Sequence, residues 1–256
     1  MPMNIDTARL SDPEKLLFSC GVTSPSHIDL EAIAAHHNVD VVYRQLDGCE
    51  ARMVRSADRA VISVNASANT GRKRFSLAHE IAHFICDKGR TAFSCASSDI
   101  GPQNASAKSV ETSANAYASQ LVLPSYLVRQ ESVGRPASLT EANHIHDIFD
   151  VSITAAALKL IFLTQEQACV IVHSRGQMRW FRKSLTFPVD AYVLPELPSE
   201  TEAFTMSFGG ARRLTPARRG PADRWFSASG MSIREVEHQS LGIADGEVLT
   251  MLRLTR

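Results

Sequence analysis

The sequence predicts an α+β protein in three parts: helices with a small sheet over residues 1–130, a helical pair over 131–165, and a β-rich α/β region over 166–256. Three observations carry this reading. Apolar residues recur with helical period through 75–86, 109–123 and 138–163. Short β-branched runs lie at 39–44, 51–55 and 59–64. From about 166 onward the pattern turns to strands, punctuated by Pro-rich stretches at 188–198 and 215–221.

In chain order, residues 13–20 and 29–37 read as helices, the second opened by Ser26 or Asp29. The three strand-like runs follow, then the apolar helix of 75–86. Residues 88–107 are rich in Ser, Ala and Gly and read as a long loop. A helix over 109–124 has Ser109 as N-cap, Ala114, Tyr117, Ala118 and Leu121 as its apolar face, and Pro124 as its stop. Two helices meet at Phe149-Asp150-Val151-Ser152, with Ser152 capping the second, in the manner of a helix-turn-helix. Runs at 168–173 and 177–182 flank a Ser174-Arg175-Gly176 hairpin signal, and Asp245-Gly246 precedes a last strand over 247–254.

Composition limits the function classes. A chain of 256 residues with 44% hydrophobic content can bury one large core or two modest ones. Its 27 basic and 27 acidic residues make no global electrostatic case for nucleic acid or anionic membranes. Asp6, Arg9 and Asp12 interrupt the amino terminus, which argues against a signal peptide, and no apolar run approaches the roughly 20 residues of a membrane span. Five cysteines, odd in number and irregularly spaced, argue against a disulfide framework and for a reducing, cytoplasmic setting.

The chemistry concentrates in His79-Glu80-Ile81-Ala82-His83. Residues four apart share a helix face, so both imidazoles can point at one ion, while the Glu80 carboxylate is free to take a proton from an activated water. Ala78, Ile81, Ala82, Phe84 and Ile85 would bury this helix, and buried histidines need partners. Two histidines do not complete a catalytic zinc site. A further His-x-x-Gly-x-x-His pattern fails, because Cys86 and Gly89 occupy its glycine and histidine slots. Glu111 on the next helix is the favoured third ligand, with Asn115 one turn on to steady a ligand from behind. The alternative for Glu111 is an N-terminal acid favoured by the helix dipole. Cys86 and Asp87 rank lower, since they sit a full turn, roughly 5 Å of rise, beyond His83. His144, His146 and His173 have no ligand-like spacing to the pentad.

Arg-Phe-Ser-Leu-Ala-His-Glu-Ile-Ala-His followed by Glu-Thr-Ser-Ala-Asn-Ala-Tyr-Ala-Ser-Gln-Leu-Val-Leu-Pro resembles the paired motifs of the ImmA/IrrE metallopeptidases. The lead-in at 29–43 and 61–65 fits as well, so the likeness spans roughly residues 28–125. Ala82 stands for a usual glycine, Tyr117 for phenylalanine and Val122-Leu123 for Leu-Met; none is a ligand position. The resemblance implies a gluzincin-like core, zinc (or manganese) on His79, His83 and Glu111, and Glu80 as catalytic base. It further implies site-specific cleavage of a helix-turn-helix repressor of the XRE type in a stress or mobile-element response. In gluzincin-like folds the edge of the small sheet pairs with extended substrate. Tyr126 and His173 are considered as oxyanion donors.

Two other readings compete. One is a weakly proteolytic or non-proteolytic regulator that binds a partner or small ligand through its C-terminal region. The other is DNA binding. The helical pair holds one basic residue, Lys159, against Glu141, Asp147 and Asp150, which disfavours phosphate contact. The one charge cluster is Arg212, Arg213, Arg218, Arg219 and Arg224, offset nearby by Asp223 alone; it reads as a partner or ligand surface or as a solvated loop. Trp180 and Trp225 are expected in the core.

Overall fold

A computed structural model describes residues 5–86, 92–95 and 109–255, with side chains described for all of these except 92–95 and 109. Among them the fold is α+β, with eight α-helices and three sheets. The chain forms two compact units. The first runs to Glu131 and takes in Asp147–Ser152; the second comprises Ser132–His146 and everything from Ile153 onward.

The first unit opens with α1 (Asp12–Ser19) and α2 (Leu30–His36). Ser11 and Glu14 form a capping box at α1, and Asp29 accepts the Glu31 and Ala32 amides at α2, so Asp29 is the cap that the sequence offers beside Ser26. β1 (Val39–Arg44), β2 (Ala51–Ser56) and β3 (Arg59–Asn65) follow at the expected positions. The mixed sheet has the order β1-β3-β2-β4, in which β4 is Ala92–Cys95, antiparallel to β2. The expected loop over 88–107 is therefore corrected at 92–95, where the backbone finds hydrogen-bond partners on an otherwise open edge; its remaining positions lie outside the described residues.

α3 (Thr70–Cys86) packs on β2 and β3 with one side and on α4 (Ser109–Val122) with the other. Asn69 caps α3 by accepting the Arg72 amide at 2.9 Å. At the far end, Arg55 of β2 donates to the Phe84 carbonyl at 3.0 Å, and its guanidinium lies 4.3 Å from the Phe84 ring centre. That contact satisfies one of the carbonyls a helix end leaves open. Gly71 allows a close approach: a Cβ there would come to 3.1 Å from the Asp150 carbonyl oxygen, so a larger residue would push the backbone at Asp150. α4 ends at Val122 before Pro124, as expected, but the chain re-enters a short α5 (Ser125–Glu131). Glu14 serves both helical ends, since it also accepts the Tyr126 amide at 3.2 Å.

The second unit holds α6 (Leu139–Phe149), whose last residues belong to the first unit, and α7 (Ile153–Leu163), which starts directly after Ser152. A five-stranded antiparallel sheet follows, in the order β6-β5-β11-β10-β8. β5 (Ala168–Ser174) and β6 (Gln177–Lys183) are joined through Arg175 and Gly176, both at positive φ (48° and 79°), as a type I′ hairpin needs. β10 (Glu235–Ala244) and β11 (Glu247–Thr255) close the chain around Asp245-Gly246. β8 (Arg218–Pro221) is an edge strand, and a separate pair joins β7 (Tyr192–Val193) to β9 (Phe226–Ser227). The sheet buries one face under α8 (Glu202–Gly209), Phe187, Trp225 and Phe226. Trp225 is a core residue as expected, whereas Trp180, on β6, is only half-buried. No helix among the described residues is long and apolar enough to cross a membrane.

Candidate metal centre

α3 carries His79, Glu80 and His83 at its most buried stretch; all three are withdrawn from solvent. Leu77, Ala78, Ile81 and Ala82 are buried around them, so the residues that specify the helix also exclude water from the site. One turn of α3 brings His79 Nε2 and His83 Nε2 to 3.0 Å of each other. The Oε2 atom of Glu111, in the first turn of α4, lies 3.3 Å from each. Glu111 keeps about a fifth of its side chain exposed, and Oε2 itself is the buried atom.

Three lone-pair donors in a triangle this small repel one another unless a proton or a cation lies between them. Ligands held at 2.0–2.1 Å around a tetrahedral zinc ion sit about 3.3–3.4 Å apart. The observed separations therefore fit one small divalent ion, and His79, His83 and Glu111 are the group among the described residues whose ligand atoms converge within 4.8 Å. The two-imidazole, one-carboxylate composition suits zinc, with a position left open. The electrostatics agree. Burial pushes the His79 imidazolium pKa below its ordinary value, His83 beside it lowers it further, and the Glu111 carboxylate opposes both. A neutral imidazole is the form that binds a metal.

Asn115, one turn past Glu111, lies against His79 and favours its protonated ring nitrogen, which suits the expectation of a residue that steadies a ligand from behind. Phe75, one turn before His79, stacks on its ring at 28° and 6.4 Å. The i, i+4 spacing of Phe75 and His79 is the sequence signal for this contact.

Other expected participants fall elsewhere. Cys86 ends α3 as an exposed thiol, and Asp87 lies outside the described residues. The Tyr126 hydroxyl donates to the Val22 carbonyl at 2.7 Å in a buried position, where it holds the turn after α1. It is a structural donor, and the oxyanion assignment is withdrawn. His144, His146 and His173 belong to the second unit. His173 is buried there beside Trp225, with neither ring nitrogen hydrogen-bonded among the described residues and its pKa pushed down to about 4 by desolvation.

The arginine cluster is paired more fully than its surroundings in sequence suggest. Arg213 and Arg218 share Glu202 at 3.0 and 3.1 Å, Arg219 meets Glu237 at 3.5 Å, and Arg224 meets Glu200 at 2.8 Å. Arg212 is exposed. Part of the expected loop is the edge strand β8, so Asp223 is not the cluster's counter-charge. Lys159, the one basic residue of the helical pair, is buried.

Residues 34–160 match the Peptidase_M78 family, described as the IrrE N-terminal-like domain. That span contains the mixed sheet, both helices of the triangle, α6 and most of α7. Among solved structures, a Mycobacterium tuberculosis transcriptional regulator is similar in fold, with a TM-score of 0.56 at 12% identity over 94% of this chain and 85% of that one. No curated protein matches at a significant level.

Proposed function

We propose that this chain, which belongs to the IrrE-like Peptidase_M78 family, is a metal-dependent endopeptidase with a gluzincin-like core. The observation that carries the reading is the buried triangle of His79, His83 and Glu111, whose separations suit a single ion. Zinc, or manganese in its place, would polarise a scissile carbonyl and acidify water at that position. Glu80, buried on the same helix and outside the triangle, accepts the proton of the attacking water and passes it to the departing amine. His79 and His83 supply the two imidazole nitrogens, with Phe75 and Asn115 holding the His79 ring. Among the described residues Cys20, Cys49, Cys86 and Cys169 form no disulfide, in keeping with a reducing cytoplasmic setting.

The substrate class follows from the family resemblance: an XRE-type helix-turn-helix repressor, cleaved at one site to release stress or mobile-element genes. Among the described residues β4 is an edge of the mixed sheet, a position that suits strand addition by an extended peptide. Direct DNA binding is disfavoured by the burial of Lys159. The test is to incubate the purified chain, supplied with zinc or manganese, with helix-turn-helix proteins encoded beside it, against Glu80→Gln as control. Cleavage by the wild type alone supports the enzyme. Intact substrates in both arms, with metal bound in both, would transfer the reading to a non-proteolytic regulator that acts through its C-terminal region.

A further inference from the structure

The second unit contains a cavity of about 320 Å³ lined by β8, β10, Trp225 and the first turn of α8. Its size falls at the lower end of small-molecule sites, roughly 300–1,000 Å³. The inner wall is neutral: Trp225, Thr215 and Ser240 are all buried. The mouth carries two arginines, Arg218 and Arg224, each at least half-exposed and each ion-paired with a glutamate, Glu202 and Glu200 respectively. β8 and β10 pair so that Arg218 stands opposite His238 and Gly220 opposite Val236. Side chains alternate across a strand, so Arg218, Gly220 and His238 share one face. Arg219 faces the other way, onto Glu237.

Two features make this more than a charged surface. A Cβ added to Gly220 would meet no atom within 4 Å, so the missing side chain leaves the cavity open at the strand edge. The His238 ring lies 5.3 Å from Trp225, and its Nδ1 is buried with no hydrogen-bond partner among the described residues. The carboxylates at the mouth are weak occupants. Glu202 divides itself between Arg213 and Arg218, and Glu200 on Arg224 is about half-exposed. Exposed pairs of this kind contribute about 0–1 kcal/mol, whereas phosphate takes bidentate, charge-assisted bonds from guanidinium groups.

We propose that this cavity binds a small phosphate monoester, with Arg218 and Arg224 on the phosphoryl oxygens and the Trp225–His238 wall against the organic part. Glu202 and Glu200 hold the arginines until the ligand replaces them. The first turn of α8 adds main-chain N–H groups of favourable polarity. The site is independent of the peptidase reading.

Titration calorimetry on the full chain tests it, with phenyl phosphate, inorganic phosphate and benzoate as probes at matched ionic strength in chloride. Saturable binding of phenyl phosphate is expected, tighter than either of the other two. Arg218→Ala and Gly220→Leu should each weaken it by at least about tenfold, the first by removing a charged donor and the second by filling the space. Glu202→Gln should tighten it, a gain that misfolding cannot imitate, and Arg212→Ala should leave it unchanged. Absence of saturable binding, equal affinity for benzoate, or unchanged affinity in both Arg218→Ala and Gly220→Leu would overturn the proposal.

Discussion

Each unit contains imidazoles removed from water, and their surroundings make them different objects. In the first unit His79 and His83 face each other across 3.0 Å with the Glu111 carboxylate closing the triangle. In the second, His173 sits on β5 among apolar side chains with both ring nitrogens unpaired among the described residues. Burial alone keeps an imidazole neutral. A binding centre also needs converging electron pairs, which His173 lacks and the α3–α4 pair supplies. Desolvation is thus common to both regions, and convergence separates them.

The strongest test of that contrast is removal of the converging group. Glu111→Ala should lose stoichiometric metal, a larger loss than the 10–100-fold typical of an outer supporting residue, as read by metal analysis of the purified protein. Retention of one zinc per chain would return the third-ligand role to Cys86 or Asp87. Next in size is His173. Its pKa in the folded chain, about 4, lies below the ordinary 6.5, so between these values the unfolded chain binds a proton that the folded chain refuses. Stability is therefore full above pH 6.5 and falls as pH drops toward 4, by about 3 kcal/mol at most from this residue. Denaturant unfolding of His173→Leu should show that much less loss over the same pH range; an identical pH profile would mean that His173 has a partner.

Smaller effects sharpen the picture within the first unit. Asn115→Ala should weaken metal binding by about tenfold without removing it, measured by competition with a chelator. Arg55→Ala should destabilise the chain by about 1 kcal/mol through the lost contact with the Phe84 carbonyl, with metal stoichiometry unchanged. If Arg55→Ala also released the metal, the end of α3 would be part of the centre.

Much of the metal centre was legible because its determinants are local. The His79–His83 spacing, the apolar run that buries α3, and the Glu111–Asn115 spacing on α4 each lie within a turn or so of helix. Strands β1, β2, β3 and the hairpins at Arg175-Gly176 and Asp245-Gly246 were legible for the same reason, being written in alternation and turn residues. What escaped the reading depends on distant partners. β4 lies in a Ser- and Ala-rich stretch and is made a strand by the open edge of β2. The arginines of β8 find their counter-charges in Glu202 and Glu237, far along the chain, so a local tally around Asp223 missed them. The Tyr126 hydroxyl is taken by Val22, more than one hundred positions away. α8 is a different kind of miss: Thr201 caps it and Gly210 ends it at positive φ, both signals present in the sequence.

The path of the chain between its two units sets an order of assembly during synthesis. The first unit recovers Asp147–Ser152 only after Ser132–His146 has been assigned to the second, and the Asp150 carbonyl lies against Gly71 at the start of α3. A ribosome that has delivered residues through Glu131 has made both helices of the candidate metal centre but not the turn on which α3 begins. At roughly 5–20 residues per second, the turn follows within seconds, before β5 and the rest of the second unit's sheet exist. The His79–His83–Glu111 triangle is therefore expected to form on the nascent chain, ahead of the β-rich half, with the turn after α6 as its final piece.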